Sequence, residues 1–325
     1  MLFIDGFAGP GKYKGGEDGS PLIVLKAARD HTYRPKNEVI FIFVEADKVR
    51  FEHLEQVIDE IRPTLPSNFK VYCVNGRFNE QLTKIFQQLD EQKRKLAPSL
   101  VFVDPFGFSH TPLAAITRVL QNKSCEVLIT FMYEEINRFL NHPDHEKTYD
   151  ELFGTTEWRK VLSITEPEQR RRMIHDIYLA QLQQHAEFVR SFEMLNFGNR
   201  TDYFLFFASN NLRGLEKMKE AMWRVDKSGM YQFSDYTDAR GALKLFGDEP
   251  DFGLLKAILS KQFMGKDVSI EELGYFVVAE TPFLRTHIKV QILKPMEAVG
   301  EIAVISAKPN RRKGTFPPGT VMTFA

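Results

Sequence analysis

The chain has 325 residues, 43% hydrophobic and 26% charged, the proportions of a globular protein with a sizeable core and room for an accessory domain. Its 43 Lys and Arg balance its 43 Asp and Glu, so overall charge points to no nucleic-acid or membrane partner, and only local clusters can. The two cysteines, Cys73 and Cys125, lie far apart and outside any C-x-x-C spacing, which argues against a metal or iron–sulfur site.

No run reaches the ~18 apolar residues of a membrane span. The start MLFIDGF lacks a basic region, and Asp5 interrupts its apolar stretch, so no secretory leader is read. Both cysteines sit in apolar strand-like runs and read as reduced thiols of a cytoplasmic protein.

The first 145 residues alternate apolar and amphipathic runs, the βαβ pattern. Leu2–Phe7 reads as a buried strand ending in a glycine-rich loop. Ser20 and Pro21 read as the N-cap and first residue of a helix running to about Ala28. Glu38–Val44, Lys70–Val74, Ser99–Val103 and Cys125–Phe131 read as further strands, with an amphipathic helix at Phe51–Ile61 and another ending near Gln92. Unbroken apolar runs of this kind suit parallel strands covered on both faces.

Residues 134–190 are polar and mostly helical, and read as an inserted helical region or lid. Phe192–Phe197 and Tyr203–Ala208, joined by a turn at Gly198 and Asn199, then read as an antiparallel edge hairpin completing a seven-stranded sheet. Leu215–Val225 follows as a helix. From 250 onwards come three helices: Phe252–Gln262, one capped by Ser269 with Glu272 in a capping box, and one opening at Thr281 and Pro282. Two strands, Ile302–Ser306 and Thr320–Phe324, follow. That order is the order of a winged helix-turn-helix. The predicted organisation is therefore a Rossmann-like sheet domain at 1–133 and 191–245, a helical insertion at 134–190 and a winged-helix domain at 250–325.

The sharpest motif is Asp5-Gly6-Phe7-Ala8-Gly9-Pro10-Gly11, directly after the first strand. Glycines let the backbone pass close to a ligand, and a strand-end acid can orient the loop or meet an amino or hydroxyl group. The spacing differs from both the dinucleotide and the Walker patterns. It resembles the first motif of S-adenosylmethionine-dependent methyltransferases. Glu45 ends the second strand, where Rossmann folds hold ribose hydroxyls, and Ala46 follows at the turn beside adenine. Asn75, Gly76 and Arg77 follow the third strand. There the Asp common in methyltransferases is absent, leaving Asn75 or Arg77 to meet the adenine amino group. Lys12–Gly19 enlarges the loop, and Lys12, Tyr13 and Lys14 are candidates for a flap.

Asp104-Pro105-Phe106-Gly107-Phe108 follows the fourth strand. It resembles the D-P-P-[YF] element of amino-methylating enzymes, in which the acid holds an amino group and a ring stacks on the acceptor. Asp104, Phe106 and Phe108 are the catalytic candidates. The departures at Phe106 and Gly107 leave the acceptor open, and a structural alternative has Asp104 capping a turn while both rings join the core. From Arg285 to Ala325, seven Lys/Arg stand against two acids. Arg285, Lys289, Arg311, Arg312 and Lys313 are the nucleic-acid candidates, with a solvated turn on a protein-binding domain as the alternative.

Together with Gly19-Ser20-Pro21-Leu22-Ile23, Tyr203-Phe204-Leu205, Met218–Trp223 and Arg311–Pro317, these stretches resemble the three-Cys-motif partner family over essentially the whole chain. The resemblance implies a class I methyltransferase-like fold, S-adenosylmethionine as cofactor, a role in nucleic-acid modification or repair, and a second protein with a three-cysteine motif resembling radical S-adenosylmethionine enzymes. Two further functions stay open: a non-catalytic subunit delivering nucleic acid to that partner, and a protein methyltransferase. Family members carry residues ahead of the first strand, so the start here implies truncation or closure of the pocket by another segment.

Overall fold

Unbroken apolar runs form the parallel strands of one sheet: β1 (Leu2–Asp5), β2 (Val39–Glu45), β3 (Phe69–Asn75), β4 (Ser99–Val103) and β5 (Cys125–Phe131). β1 pairs in parallel with both β2 and β4, β2 pairs with β3, and β4 with β5. β6 (Phe188–Leu195) and β7 (Thr201–Ser209) extend the sheet, with β7 antiparallel to β5. These seven strands run in the order β3-β2-β1-β4-β5-β7-β6. The computed structural model describes residues 1–226, 231–234 and 250–325. They divide into two units, Met1–Met194 with Thr201–Asn211, and Leu195–Arg200 with Leu212–Ala325. The end of the predicted first domain, 235–245, lies outside the described residues, as do 227–230.

Strand residues alternate between the faces of the sheet, so Phe3 and Ile4 enter different cores. On one face, α1 (Ser20–Asp30) and α2 (Lys48–Ile61) set Leu25, Leu54 and Ile58 against Phe41 and Phe43. On the other, α3 (Phe78–Glu91) and α4 (Leu113–Leu120) set Leu82, Phe86 and Ile116 with Ile4, Val101 and Val127. Each such buried side chain contributes roughly 1.5–3 kcal/mol.

Two local expectations change. β6 begins at Phe188 rather than Phe192, and Asn196 Oδ1 accepts from the N–H groups of Gly198 and Arg200, which turns the chain and leaves Phe197 exposed beyond the strand. The N-cap of α1 is Gly19, not Ser20, because the Ser20 hydroxyl is committed to Asp5.

The helical region comprises α5 (Tyr133–Phe139), α6 (Glu146–Phe153) and α7 (Pro167–Gln183). It is a core layer rather than a lid. Tyr149, Phe153, Trp158 and Tyr178 are fully buried and share one cluster with β5 and β7. Phe131 stacks on Tyr178 at 4.5 Å and meets Phe206 edge-on at 5.7 Å. Polar residues around this layer lower its mean hydropathy, while most of its large apolar residues turn inward, Phe139 and Leu162 staying exposed.

The second unit contains α8 (Leu212–Val225), which the sequence groups with the sheet, and the short strand β8 (Gln232–Ser234). Then come α9 (Phe252–Phe263), β9 (Asp267–Ser269), α10 (Ile270–Glu280), a π-helical stretch Ile288–Leu293 continuing as α11 (Lys294–Val299), β10 (Ile302–Ser306) and β11 (Val321–Phe324). β11 lies between β10 and β9, antiparallel to both. The Ser269–Glu272 capping box opens α10 as the sequence indicates. The third helix does not start at Thr281. Thr281 donates its hydroxyl to the Val277 carbonyl and accepts from the Phe283 N–H, which closes α10 instead, and the residue before a proline disfavours helix.

Lys219 of α8 is fully buried, and its ammonium donates to the carbonyls of Val277, Val278 and Thr281 at 3.1, 2.9 and 2.8 Å. Those carbonyls end α10, where the helix dipole is negative and partners inside the helix run out. Replacing Lys219 with Met removes the donor while keeping the apolar stem. Lys219→Met is expected to destabilise the second unit by about 2–4 kcal/mol, read as a lowered urea midpoint. An unchanged midpoint would show that the carbonyls do not need it.

Candidate ligand cleft

β1 lies between β2 and β4, and the loop leaving it is tied to both. The Gly6 N–H donates to the Phe102 carbonyl and the Ala8 N–H to the Val44 carbonyl, each at 2.9 Å. Asp5 sits beneath the loop with no exposed surface. It accepts from the Phe7 N–H at 3.1 Å and the Ser20 hydroxyl at 2.6 Å, joining strand, loop and α1. Burial pushes its carboxyl up to about 6, against the lowering pull of those two hydrogen bonds and with further raising by Asp104 and Glu45.

The geometry thus gives Asp5 the task of holding the loop. A Cβ on Gly6 would stand 2.5 Å from the Phe78 ring, while Gly9 needs its glycine because its φ is +63°. Gly11 also has positive φ and accepts from the Gly19 N–H at 2.8 Å. Lys12–Gly19 folds on itself through a Lys12–Asp18 bridge, with Lys12, Tyr13 and Lys14 exposed.

A cleft of about 160 Å³ opens at the carboxyl ends of β1, β2 and β3. Of the predicted cofactor residues, Gly6, Phe7, Glu45, Ala46 and Gly76 line it. Asp5, Ala8, Gly9, Gly11 and Asn75 do not; they shape it from behind. Asn75 Nδ2 donates to the Glu45 carbonyl at 2.9 Å, and the Gly76 N–H reaches the same oxygen at 3.0 Å, so β3 fixes the end of β2.

Glu45 is 3% exposed, and its Oε1 accepts from the Asp47 N–H at 2.8 Å and from Arg50 Nη2 at 3.1 Å. Arg50 then lies over the Phe106 ring at 5.2 Å. Arg50 is the lining residue that motif reading passes over. Its signal is the Asp47 N-cap of α2, whose carboxylate accepts from the Arg50 N–H at 2.9 Å and so fixes that residue on the first turn beside the cleft. Arg77, Phe78, Ser109 and His110 complete the wall.

The three catalytic candidates separate. Phe106 lines the cleft and is 69% exposed. Phe108 turns away into the aromatic layer, stacking on Tyr149 at 4.9 Å, so of the two rings only Phe106 faces a ligand. Asp104 keeps an accessible edge beside Thr130 of β5 while part of its carboxyl is buried. Loss of hydration holds its carboxyl above the usual range, and a hydrogen bond from the Thr130 side chain opposes that rise.

In the second unit the five basic candidates divide as well. Arg285 Nε pairs with Glu216 at 2.8 Å. Arg311 is an internal strut rather than a free phosphate contact. It forks onto the buried Glu297 carboxylate, donates to the Thr315 carbonyl at 2.7 Å and lies over Phe316. The Arg311 guanidinium, with a hydrogen bond from the Gly314 N–H, holds Glu297 below the usual carboxylate range. Lys289, Arg312 and Lys313 are exposed.

Among the described residues no group of three or more His, Cys, Asp or Glu is placed to hold a metal ion, and no helix is long and apolar enough to cross a membrane.

Because the folded carboxyl of Asp5 titrates above its unfolded value of 3.8, the buried charge opposes folding at neutral pH and is relieved as pH falls through 6. Relative to Asp5→Asn, which keeps the side-chain shape, the wild type should gain on the order of 1 kcal/mol of stability between pH 7.5 and pH 5. Paired urea titrations at both pH values check this, and a pH-independent difference would contradict it.

No protein-family model and no curated protein sequence matches the chain. Among solved structures it is weakly similar to geranyl diphosphate methyltransferase in complex with GPP and sinefungin, with 11% sequence identity, 65% of this chain and 72% of that chain covered, and a TM-score of 0.24.

Proposed function

We propose that the first unit is a class I methyltransferase-like domain. It binds S-adenosylmethionine at the carboxyl edge of its sheet and directs the methyl group to nucleic acid. One observation carries this reading. Strand order reverses at β1, between β2 and β4, where open α/β sheets place their ligands, and the glycine loop and Glu45 both lie there. The antiparallel β7 beside β5 suits the same fold.

The residues present fit the cofactor in kind. Glu45 offers a buried carboxylate to ribose hydroxyls, the Gly6–Phe7 backbone lines the approach, and Phe106 offers an exposed ring. The cleft is smaller than the ~300–1,000 Å³ of sites for ligands of this size, so Arg50 and Phe106 have to part on binding.

S-adenosylmethionine would supply an electrophilic methyl group on a sulfonium. Asp104 would accept a hydrogen bond from the acceptor's amino group and aim its lone pair, so that proximity carries most of the rate. The acceptor would be a flat one such as an unpaired base, with the Phe106 ring left to the cofactor. As the nitrogen lone pair bonded to the methyl carbon, the carbon–sulfur bond would break, leaving the neutral thioether, and the nitrogen's proton would pass to Asp104 or to solvent.

The second unit supports the nucleic-acid half of the reading. Its order α9, β9, α10, third helix, β10, β11 is that of a winged helix-turn-helix, with Arg312 and Lys313 at the tip of the β10–β11 wing and Lys289 on the third helix. The chain would act in the cytoplasm with a three-Cys-motif, radical S-adenosylmethionine-like partner protein, as the sequence resemblance implies.

Calorimetric titration with S-adenosylhomocysteine is expected to give micromolar binding, weakened at least tenfold in Glu45→Ala; absence of binding by the wild type would sink the cofactor reading. Methyl transfer from a labelled donor to nucleic acid should fall on the order of a hundredfold in Asp104→Ala with cofactor affinity kept.

Charge reversal at Arg312 and Lys313 should weaken oligonucleotide binding across sequences and flatten its salt slope by about 2. Arg311→Ala should instead lower thermal stability, since it strips the partner from a buried carboxylate. Equal loss of binding from all three positions, with stability intact, would overturn that division.

A further inference from the structure

Arg50 occupies the carboxylate that a ribose would use. Its Nη2 is 3.1 Å from Oε1 of Glu45, a side chain only 4% exposed, while its guanidinium carbon lies over the Phe106 ring, 5.2 Å from the centroid. The contact therefore crosses the cleft, from the end of β2 to the loop after β4, both of which line it. The pair is not a buried structural bridge, because the Arg50 side chain is 42% exposed. Nor is it fully satisfied: Arg50 Nε is buried with no hydrogen-bond partner. A guanidinium held by one oxygen and one ring, with an unspent N–H, is poised to be exchanged for something better.

We propose that Arg50 is a specificity-determining latch of this cleft. It satisfies Glu45 in the empty protein and yields only to a ligand that replaces it there with a hydroxyl pair while laying a flat ring against Phe106, which is the chemistry of a ribonucleoside. The inference rests on the proposed cofactor reading and adds to it a competitor for the ribose site. Two consequences follow. Ligand affinity carries the cost of breaking the Glu45–Arg50 pair, so removing the guanidinium tightens binding. Because that pair is partly exposed, salt screens it and favours the open cleft. S-adenosylhomocysteine has no net charge, so little salt dependence arises from the ligand itself.

Calorimetry with S-adenosylhomocysteine on the full chain, at 50 and 500 mM NaCl, separates the outcomes. For Arg50→Met, affinity is expected to rise about three- to tenfold over wild type at low salt, and the roughly twofold rise with salt expected of the wild type should disappear. A thermal melt checks folding. If Arg50→Met fails to fold, Arg50→Gln, which removes the charge but keeps a polar side chain at this partly exposed position, is expected to move affinity in the same direction by a smaller factor.

Wild-type binding with equal or weaker binding by the variant would overturn the latch and leave the cofactor reading standing, with Arg50 as a ligand contact or a bystander. Failure of both wild type and variant to bind would overturn the cofactor reading and the latch with it, since freeing Glu45 would have admitted no nucleoside. Binding by the variant alone would support both.

Discussion

A carboxylate buried at the end of β1 organises the whole carboxyl edge. Asp5 has no exposed surface, and removing its hydration is unfavourable enough to lift its titration into the physiological range. Such a group is tolerated only where its hydrogen bonds hold something worth holding. Here they hold the first turn of the glycine loop and the first residue of α1. β1 itself is four residues long and gains its position from two parallel neighbours rather than from its own length. The loop inherits that position through Gly6 and Ala8, one bonded to each flanking strand. A short central strand, a doubly anchored loop and a buried acid together fix the backbone at the base of the cleft.

That arrangement explains what was legible in the sequence. Unbroken runs such as Val39–Glu45 and Cys125–Phe131 announce strands because both faces are covered, and the Asp5–Gly11 glycines announce a loop whose backbone matters. The Ser269–Glu272 capping box is similarly local, and its geometry follows from residues three apart. Where the outcome depended on distant partners, local pattern failed. Ser20 looks like a cap, but its hydroxyl answers to a carboxylate fifteen positions away. Residues 134–190 look like a polar lid, because helix α7 shows only Ile174, Tyr178 and Leu182 buried along its length, yet these join the sheet's core, Tyr178 stacking on Phe131 and meeting Phe206. Phe106 and Phe108 are two residues apart and chemically identical, and only the packing of Tyr149 decides which one leaves the cleft.

Charge shows the same division between type and place. A run of three cations, Arg311 to Lys313, reads as one basic tip. Folding splits it, because Glu297 on α11 draws Arg311 inward with a forked, nearly buried ion pair while its two neighbours remain outside. The inner residue holds the β10–β11 loop and the outer two leave their charge at the surface. In the same way Lys219, which composition counts as a surface charge, ends a helix inside the second unit. A net charge of zero thus conceals charges in different places, some neutralised inside to build the fold and others left exposed.

The cleft carries this logic to its functional edge. A buried acid such as Glu45 cannot remain without a partner in an empty site, and the chain supplies one from its own α2. Any ligand therefore binds by substitution rather than by addition, and the free energy it gains at Glu45 is only the difference between its hydroxyls and a guanidinium already there. Such a site discriminates through what the displaced group gives up. A ligand that offers a ring to Phe106 but nothing to Glu45 would strand a carboxylate in low dielectric, whereas one that offers both restores every lost contact. Selectivity then arises from the pairing of Glu45 at the end of β2 with Phe106 in the loop after β4, neither of which specifies a ligand alone.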